Sequence, residues 1–235
     1  MNPESANNET LTLLIKVQRI LESILISQEP PIDRLIAIQT FWSARHVCDA
    51  ADSFICLYQN GKVTGSKLIV RCIVEDVLWI AVTEGNEELL YRKAFTEMEG
   101  EKKLFRSTMF HKETSVVEGL FSQAVSDLRA TFLSENPGLV LEDKTLDLCT
   151  GLEISGKKSG HDMKPAYDWI YRHYCQYTHG TLRAITQELG TMIPSNDCWV
   201  VLKCVYAALN AIRRNTRLQI PDLTDVEREI EMCKL

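Results

Sequence analysis

The feature that most constrains the fold of this chain is a helical spacing of apolar residues that runs through almost all of it. In the first segment Leu14, Val17 and Leu21 repeat at intervals of three and four, and the run ends at the sequence EPP. This spacing puts apolar side chains on one face of an α-helix, and proline ends a helix. The 235 residues include only 11 glycines and 7 prolines, which suits long helices better than many strands joined by turns. The sequence therefore predicts an all-α fold, a multi-helix bundle of about seven to nine helices.

The same periodicity divides the chain into further helices. We predict them near residues 33–59, 66–82, 87–109 and 113–133, then from Pro165, over 197–217 and near the C-terminus. Residues 137–162 form the irregular part, and the segment GLEISGKKSGHD is typical of an exposed, mobile loop. Thr224 and Glu227 have the spacing of a capping box. We interpret residues 1–235 as a single helical domain, with an accessory helix at 1–31, a core at 33–217 and a C-terminal helix at 222–235.

Charge and cysteine usage restrict the class of protein. The net charge is −6, which argues against a surface that binds nucleic acid tightly but not against an enzyme that contacts RNA briefly. The 8 cysteines are scattered and form no C-x-x-C pair, as expected of reduced thiols in the cytosol. The start MNPESANNET does not resemble a signal peptide, and the apolar runs are too short and too charged to span a membrane. We expect a soluble cytoplasmic protein with no membrane contact and no cofactor.

One ten-residue stretch, YRHYCQYTHG at 171–180, concentrates chemically active side chains. At about 100° per residue, one helix face collects polar side chains. These are Asp168, Arg172, Cys175, Gln176, His179 and Arg183. Arg172 and His179 lie about 20° apart around the axis and roughly 10.5 Å along it, so both can reach one small anion. The alternative is that this stripe is simply a solvated helix surface.

The pattern of Arg172, a polar residue after it (His173), and then His179 resembles the R-x₄₋₆-H motif of the HEPN superfamily of small helical proteins. The segment GSKLIVRCIVEDVLWI with its R-x-x-x-E, followed much later by YRHYCQYTHG, is also similar to an uncharacterised bacterial helical family related to that group. The resemblance covers roughly residues 33–215 and implies a HEPN-like core. It implies a metal-independent endoribonuclease of toxin or antiviral-defence type, which works as a homodimer and sometimes pairs with a protein such as an antitoxin.

The resemblance also implies roles for individual residues. His179 would transfer a proton to or from a ribose 2′-hydroxyl, Arg172 would stabilise the charged transition state, and His173 and Glu75 would support them. The side chains expected to contact RNA are Arg71, Gln176, Lys157, Lys158 and Arg183. Arg71 and Glu75 lie four residues apart in an apolar helix, where they can satisfy each other as an ion pair; Glu75 can also reach a neighbouring helix to orient His179 or pair with Arg172, and the two interpretations are compatible.

Two other interpretations of the same stretch stay open. Cys175 and His179 have the spacing of metal ligands, with His173 and His161 close in sequence, but no second Cys/His pair supports a zinc site. The stripe also suits a subunit or partner interface, because arginine and aromatic residues are enriched there. A non-catalytic helical interaction module is therefore the second hypothesis. If the enzyme hypothesis holds, we expect a symmetric homodimer around residues 165–183, with Tyr171, Tyr174 and Tyr177 supplying contact area.

Overall fold

The computed structural model describes residues 3–32, 34–108, 114–160, 162–178 and 197–233. Within these ranges the chain is helical, with no strand. The helices are α1 (Pro3–Ser27), α2 (Leu35–Gln59), α3 (Val63–Thr83), α4 (Glu87–Thr108), α5 (Thr114–Glu135), α6 (Leu148–Ser159), α7 (164–178), α8 (Asp197–Asn215) and α9 (Thr224–Met232). Helix α7 is continuous but has three parts, Lys164–Ala166, a π-helical turn Tyr167–Tyr171, and Arg172–Thr178. The predicted all-α bundle is confirmed.

The chain contacts group into two compact units. The first unit takes in residues 1–33, 37–80 and 164–235, and the second takes in residues 34–36 and 81–163. The single-domain interpretation, with its accessory and C-terminal helices, stays a prediction. None of the helices in the described part of the chain has the length and apolar character that crossing a membrane requires.

In the first unit, α1 lies against α8, and both helices bury apolar side chains. Leu14, Val17 and Leu21 of α1 are fully buried, as are Val205 and Leu209 of α8. Burying a side chain of this size stabilises the fold by about 1.5–3 kcal/mol. The far end of α1 is held by a reciprocal pair, in which the Gln28 amide donates to the Gln219 carbonyl at 2.8 Å and accepts from the Gln219 N–H at 2.7 Å.

In the second unit, α4 and α5 pack side by side. Their core is a cluster of Leu90, Tyr91, Phe132 and Leu141, with the Tyr91 and Phe132 rings edge to face at 5.3 Å. At the edge of this cluster the Tyr91 hydroxyl donates a hydrogen bond to Asp143, which also accepts one from Arg129 at 2.9 Å. The segment after α5 is therefore fixed by side chains although it has no regular structure.

The prediction of a mobile loop at GLEISGKKSGHD is wrong, because α6 runs through most of it. Asp147 caps the start of α6 by accepting hydrogen bonds from the Thr150 N–H at 3.0 Å and hydroxyl at 2.6 Å. Gly160 ends the helix with a left-handed φ of 73°. Inside α6, a Cβ at Gly151 would lie 2.9 Å from a Val82 methyl, so this glycine permits close packing of the helix. The glycines that suggested a loop serve a helix end and a tight contact.

The predicted capping box at Thr224 and Glu227 is also wrong. Asp222 accepts hydrogen bonds from the Thr224 N–H at 3.0 Å and from its hydroxyl at 2.7 Å. The Glu227 carboxylate accepts from the Tyr206 hydroxyl at 2.8 Å. The Glu227 carboxylate therefore bonds Tyr206 on α8 instead of the backbone at the start of α9 that the capping box predicts.

The cap of α6 generates a stability prediction. Replacing Asp147 by alanine removes the acceptor for Thr150, and we expect a loss of about 0.5–2 kcal/mol in the free energy of unfolding, measured by urea denaturation at neutral pH. Asp147→Asn is the matched variant, because asparagine caps helices about as well as aspartate. It should stay close to the wild type.

The stability that the Asp147 cap contributes is lost in acid. The hydroxyl and N–H of Thr150 lower the pKa of Asp147 below its ordinary value. The cap therefore contributes stability above the unfolded-state pKa and loses it as the pH falls through the folded-state pKa. The difference between the wild type and Asp147→Ala should shrink below about pH 4. A difference that persists unchanged in acid would show that the carboxylate is not the stabilising group.

Candidate functional site

The stretch predicted to carry chemistry lies on α7, directly after its π-helical turn. The Tyr167 and Tyr171 rings stack across this turn, with centroids 5.0 Å apart. The ion pair between Asp168 and Arg172 also spans it, at 3.3 Å. π-helical turns are rare and often occur at functional positions. The turn changes the register of the helix just before Arg172, so a uniform 100° per residue does not describe this surface.

Tyr171 joins α7 to α3. The Tyr171 hydroxyl accepts a hydrogen bond from Arg71 Nη2 at 3.0 Å and donates one to Glu75 Oε2 at 3.2 Å. Arg71 and Glu75 also form the predicted ion pair, at 3.3 Å, and their side chains are 29% and 35% exposed. The two side chains therefore form the ion pair and at the same time reach a neighbouring helix. The side chain it reaches is Tyr171, the residue before Arg172.

The pKa shifts in this group move the titrations of Tyr171 and Arg71 further from neutral pH. Burial raises the pKa of Tyr171 to about 12, with the charge of Glu75 adding to the effect and the Arg71 hydrogen bond opposing it. For Arg71, burial lowers the pKa, but hydrogen bonds to Cys175 and Tyr171 and the charge of Glu75 raise it above its ordinary value. The hydroxyl stays protonated and the guanidinium stays charged near neutral pH, so Tyr171 remains bonded to α3.

Tyr174 makes a second attachment, to α8. Its hydroxyl donates to Asp197 Oδ1 at 2.7 Å, and the other oxygen of this carboxylate lies 3.6 Å from Lys67 Nζ of α3. Tyr174, Asp197 and Lys67 are only 3%, 4% and 7% exposed. Charges buried this deeply must be paired and hydrogen-bonded. This cluster therefore holds α3, α7 and α8 in a fixed arrangement.

Between these two anchored tyrosines, Arg172 points outward. Its side chain is 68% exposed, and Asp168, which is 39% exposed, is its ion-pair partner. Exposed pairs of this kind contribute about 0–1 kcal/mol, so an incoming anion can take over the guanidinium at little cost. His173 is half-buried, with its ring edge to face against Tyr174 at 5.1 Å. The arrangement presents one arginine to solvent from a rigid helix.

The other predicted site residues divide into three groups. His179 and Arg183 lie outside the described residues, as do His161 and the side chains of Gln176 and Tyr177. Lys157 is exposed in the second unit. Lys158, in the same unit, donates to the Asn86 side chain at 3.1 Å and lies 3.7 Å from Glu88. The expectation that Tyr174 supplies dimer contact area is wrong, because the chain itself buries this ring.

Sequence reasoning missed the partners that arrive from distant positions. In the sequence Asp197 indicates only a helix start, and no local pattern distinguishes Lys67 near the start of the apolar helix α3. Tyr171 is 100 residues from Arg71, so no periodicity connects them. Among the described residues, no group of three or more His, Cys, Asp or Glu side chains is placed to hold a metal ion. The metal alternative also involved His161 and His179, which are outside that set.

The buried cluster leads to a second prediction. Tyr174→Phe removes one hydrogen bond from the buried Asp197 carboxylate, so we expect a loss of about 1–3 kcal/mol in the free energy of unfolding. Tyr206→Phe is the matched control, because Tyr206 also donates to a carboxylate, that of Glu227, at 2.8 Å, but both residues are half-buried. Water can replace that bond, and the loss should be smaller. Equal losses in the two variants would contradict a special role for burial.

Comparison with known proteins gives one match. A family model described as a family of unknown function, DUF5677, matches residues 41–192. No curated protein and no solved structure matches the chain. The matched region contains Arg71, Glu75, Tyr171 and Arg172, and the match by itself gives no link to the HEPN superfamily. Because it covers more than half of the 235 residues, the chain belongs to the DUF5677 family.

Proposed function

We propose that this protein is a metal-independent endoribonuclease of the HEPN type, with a toxin or antiviral-defence role in the cytoplasm. The observation that carries the proposal is the exposure of Arg172 on a helix that Tyr171 and Tyr174 fix from both sides. A guanidinium that is 68% exposed on a rigid support is suited to bind a phosphodiester without reorganisation. The HEPN relation of this family is part of the same proposal.

The proposed reaction needs no group from outside the RNA and the protein. His179 takes the proton from a ribose 2′-hydroxyl, and the 2′-oxygen attacks the adjacent phosphorus. Arg172 neutralises the charge that develops on the phosphoryl oxygens. The P–O5′ bond breaks, the 5′-oxygen leaves with the proton that His179 had accepted, and the other product ends in a 2′,3′-cyclic phosphate. His173 supports this centre from the adjacent position.

Other residues hold the motif or guide the RNA in this proposal. Arg71 and Glu75 act through Tyr171, since their hydrogen bonds to its hydroxyl fix the backbone position before Arg172. Gln176 and Arg183 contact the RNA near the cleaved bond. Lys157 and Lys158 contact RNA phosphates, and for Lys158 this requires release from Asn86 and Glu88. Release from Glu88 costs little because the Lys158 side chain is 56% exposed, whereas release from Asn86 removes a donor from an oxygen of a buried side chain.

The proposal includes a homodimer, because one chain supplies only Arg172 and His179 as the main catalytic side chains. A two-fold axis beside α7 would bring two such pairs together in one cleft. Arg172, exposed next to the half-buried Tyr171, then faces the partner chain. A toxin of this kind also needs a protein that restrains it, so we include an antitoxin-like partner in the proposal.

The cleavage prediction is tested with purified protein and RNA in EDTA. We expect cleavage by the wild type, with 2′,3′-cyclic phosphate ends identified by mass spectrometry. His179→Ala should lower the rate by about 10²–10⁴-fold and Arg172→Ala by about 10²–10³-fold. Arg228→Ala is the matched control, because Arg228 is 71% exposed and pairs with Asp225 at 3.3 Å, much as Arg172 pairs with Asp168. It should keep full activity. Cleavage that survives in all variants, or is absent in the wild type, rejects the proposal.

The dimer prediction is tested by sedimentation velocity at micromolar concentration. We expect a single dimeric species, because an interface that lasts in solution buries well over about 1,000 Å². Arg172→Glu should weaken the dimer if the guanidinium lies at the two-fold axis, while Arg228→Glu should leave it intact. A wild-type monomer would leave each active centre without its second pair and would favour the alternative below.

A separate observation favours a second candidate function, a non-catalytic helical interaction module. On α4 and α5, Leu104, Val116 and Leu120 are 62%, 61% and 67% exposed. The Arg106–Glu118 ion pair joins the helices near these residues. Exposed apolar side chains grouped on adjacent helices are typical of a protein interaction surface. This candidate predicts no cleavage, and a protein partner whose binding is lost in Leu104→Ser or Leu120→Ser.

A further inference from the structure

The exposed face of α2 carries an oriented tryptophan. Trp42 is 58% exposed, whereas tryptophan is highly buried on average in folded proteins. Its ring is nevertheless held in place, because Phe41, which is only 3% exposed, meets it edge to face at 5.6 Å with an interplanar angle of 88°. The side chain therefore offers a flat aromatic face to solvent at little entropic cost.

One helical turn further along α2, His46 is held by a carboxylate from α3. His46 Nδ1 lies 2.6 Å from Asp76 Oδ2, and the two side chains are 65% and 24% exposed. Because a carboxylate accepts, Nδ1 carries a proton and Nε2 is left for another partner. Residues four apart on a helix are neighbours on its surface. An oriented imidazole thus lies beside the exposed indole.

We infer that Trp42 and His46 form a binding site for one nucleotide of single-stranded RNA, with the base stacked on Trp42 and a ribose hydroxyl bonded to His46 Nε2. Stacking on an exposed aromatic ring is the usual way in which proteins hold unpaired bases. The nearby charges are already compensated, His46 by Asp76 and Arg45 by Asp49 at 3.4 Å. The site therefore recognises the base and the ribose rather than a phosphate, which is consistent with the net charge of −6.

The surroundings of Trp42 favour RNA over a protein partner. A protein hot spot centred on tryptophan is sealed from water by its surroundings. Here such a partner would cover Arg45, His46 and Asp49 and remove their side chains from water, which is unfavourable for charged and polar groups. A stacked base covers the indole alone and leaves a polar edge and a ribose next to these groups.

The site is connected to the proposed catalytic residues through α3. Asp76 directly follows Glu75 on α3, and Glu75 bonds Tyr171 before Arg172. The inference rests on the proposed function only for the choice of RNA. It adds a place for a nucleotide outside the cleaved bond.

The test is the affinity of the full-length protein for a short, fluorescein-labelled single-stranded oligoribonucleotide, measured by anisotropy in EDTA. A denaturing gel verifies that the RNA stays intact. Trp42→Leu keeps an apolar side chain but removes the ring, and we expect its Kd to rise about tenfold or more, as loss of one stacked base does. Trp42→Phe keeps a ring and should lose much less. His46→Ala should weaken binding several-fold, and His46→Gln, which can still hydrogen-bond, should lose less.

Each outcome decides between the possibilities. Equal affinities of the wild type and the Trp42 variants would overturn the inference, and so would the absence of RNA binding by the wild type. Equal losses in Trp42→Leu and Trp42→Phe would indicate a contact shaped for the indole as a whole, as at a protein interface, and would also overturn it. Binding that depends on the ring, combined with no cleavage, would reject the proposed ribonuclease activity and leave the nucleotide site standing.

Discussion

The buried carboxylate of Asp197 is the constraint on which the arrangement of the candidate site depends. A charge that is 4% exposed is tolerated only if the fold supplies its partners, and they come from two other helices. Lys67 of α3 provides the opposite charge, and Tyr174 of α7 provides a hydroxyl donor. Removing Lys67 would leave an uncompensated buried charge, which costs about 3–5 kcal/mol. The position of α7 is thus tied to the stability of the first unit.

The second attachment of α7 differs in character. Arg71, Glu75 and Tyr171 are partly exposed, so their hydrogen bonds stabilise the fold less than those of the Asp197 cluster. They still fix the position of Tyr171 relative to α3. The two tyrosines lie three positions apart and bond to α3 and α8. Arg172 is between them in sequence and turned to solvent. Among the side chains of this strip that the structure describes, Tyr171 and Tyr174 are bonded inward, whereas Arg172 is exposed.

How much of this is visible in the sequence depends on whether the cause is local. The helices follow from spacing, and the ion pair of Arg71 and Glu75 follows from their separation of four residues. Spacing does not predict helix α6, because the glycine and lysine content of GLEISGKKSGHD is typical of a loop. Gly151 is there because Val82 comes within 2.9 Å of its absent Cβ, and Val82 is distant in sequence. Glu227 failed as a capping residue for the same reason, since Tyr206 of α8 competes for its carboxylate.

Side-chain spacing along the chain is enough to predict that the protein is helical and where most of its helices run, and composition identifies the ten residues with the most reactive side chains. Those properties arise from side-chain periodicity and from interactions within one or two helical turns. The roles of single residues depend on helix packing: Tyr174 is buried and structural, Tyr171 links the residue before Arg172 to α3, and His46 contacts Asp76 one turn from the exposed Trp42. Each of these contacts joins residues at least 23 positions apart. Helix packing brings such residues together, and local sequence spacing does not predict contacts between residues so far apart along the chain.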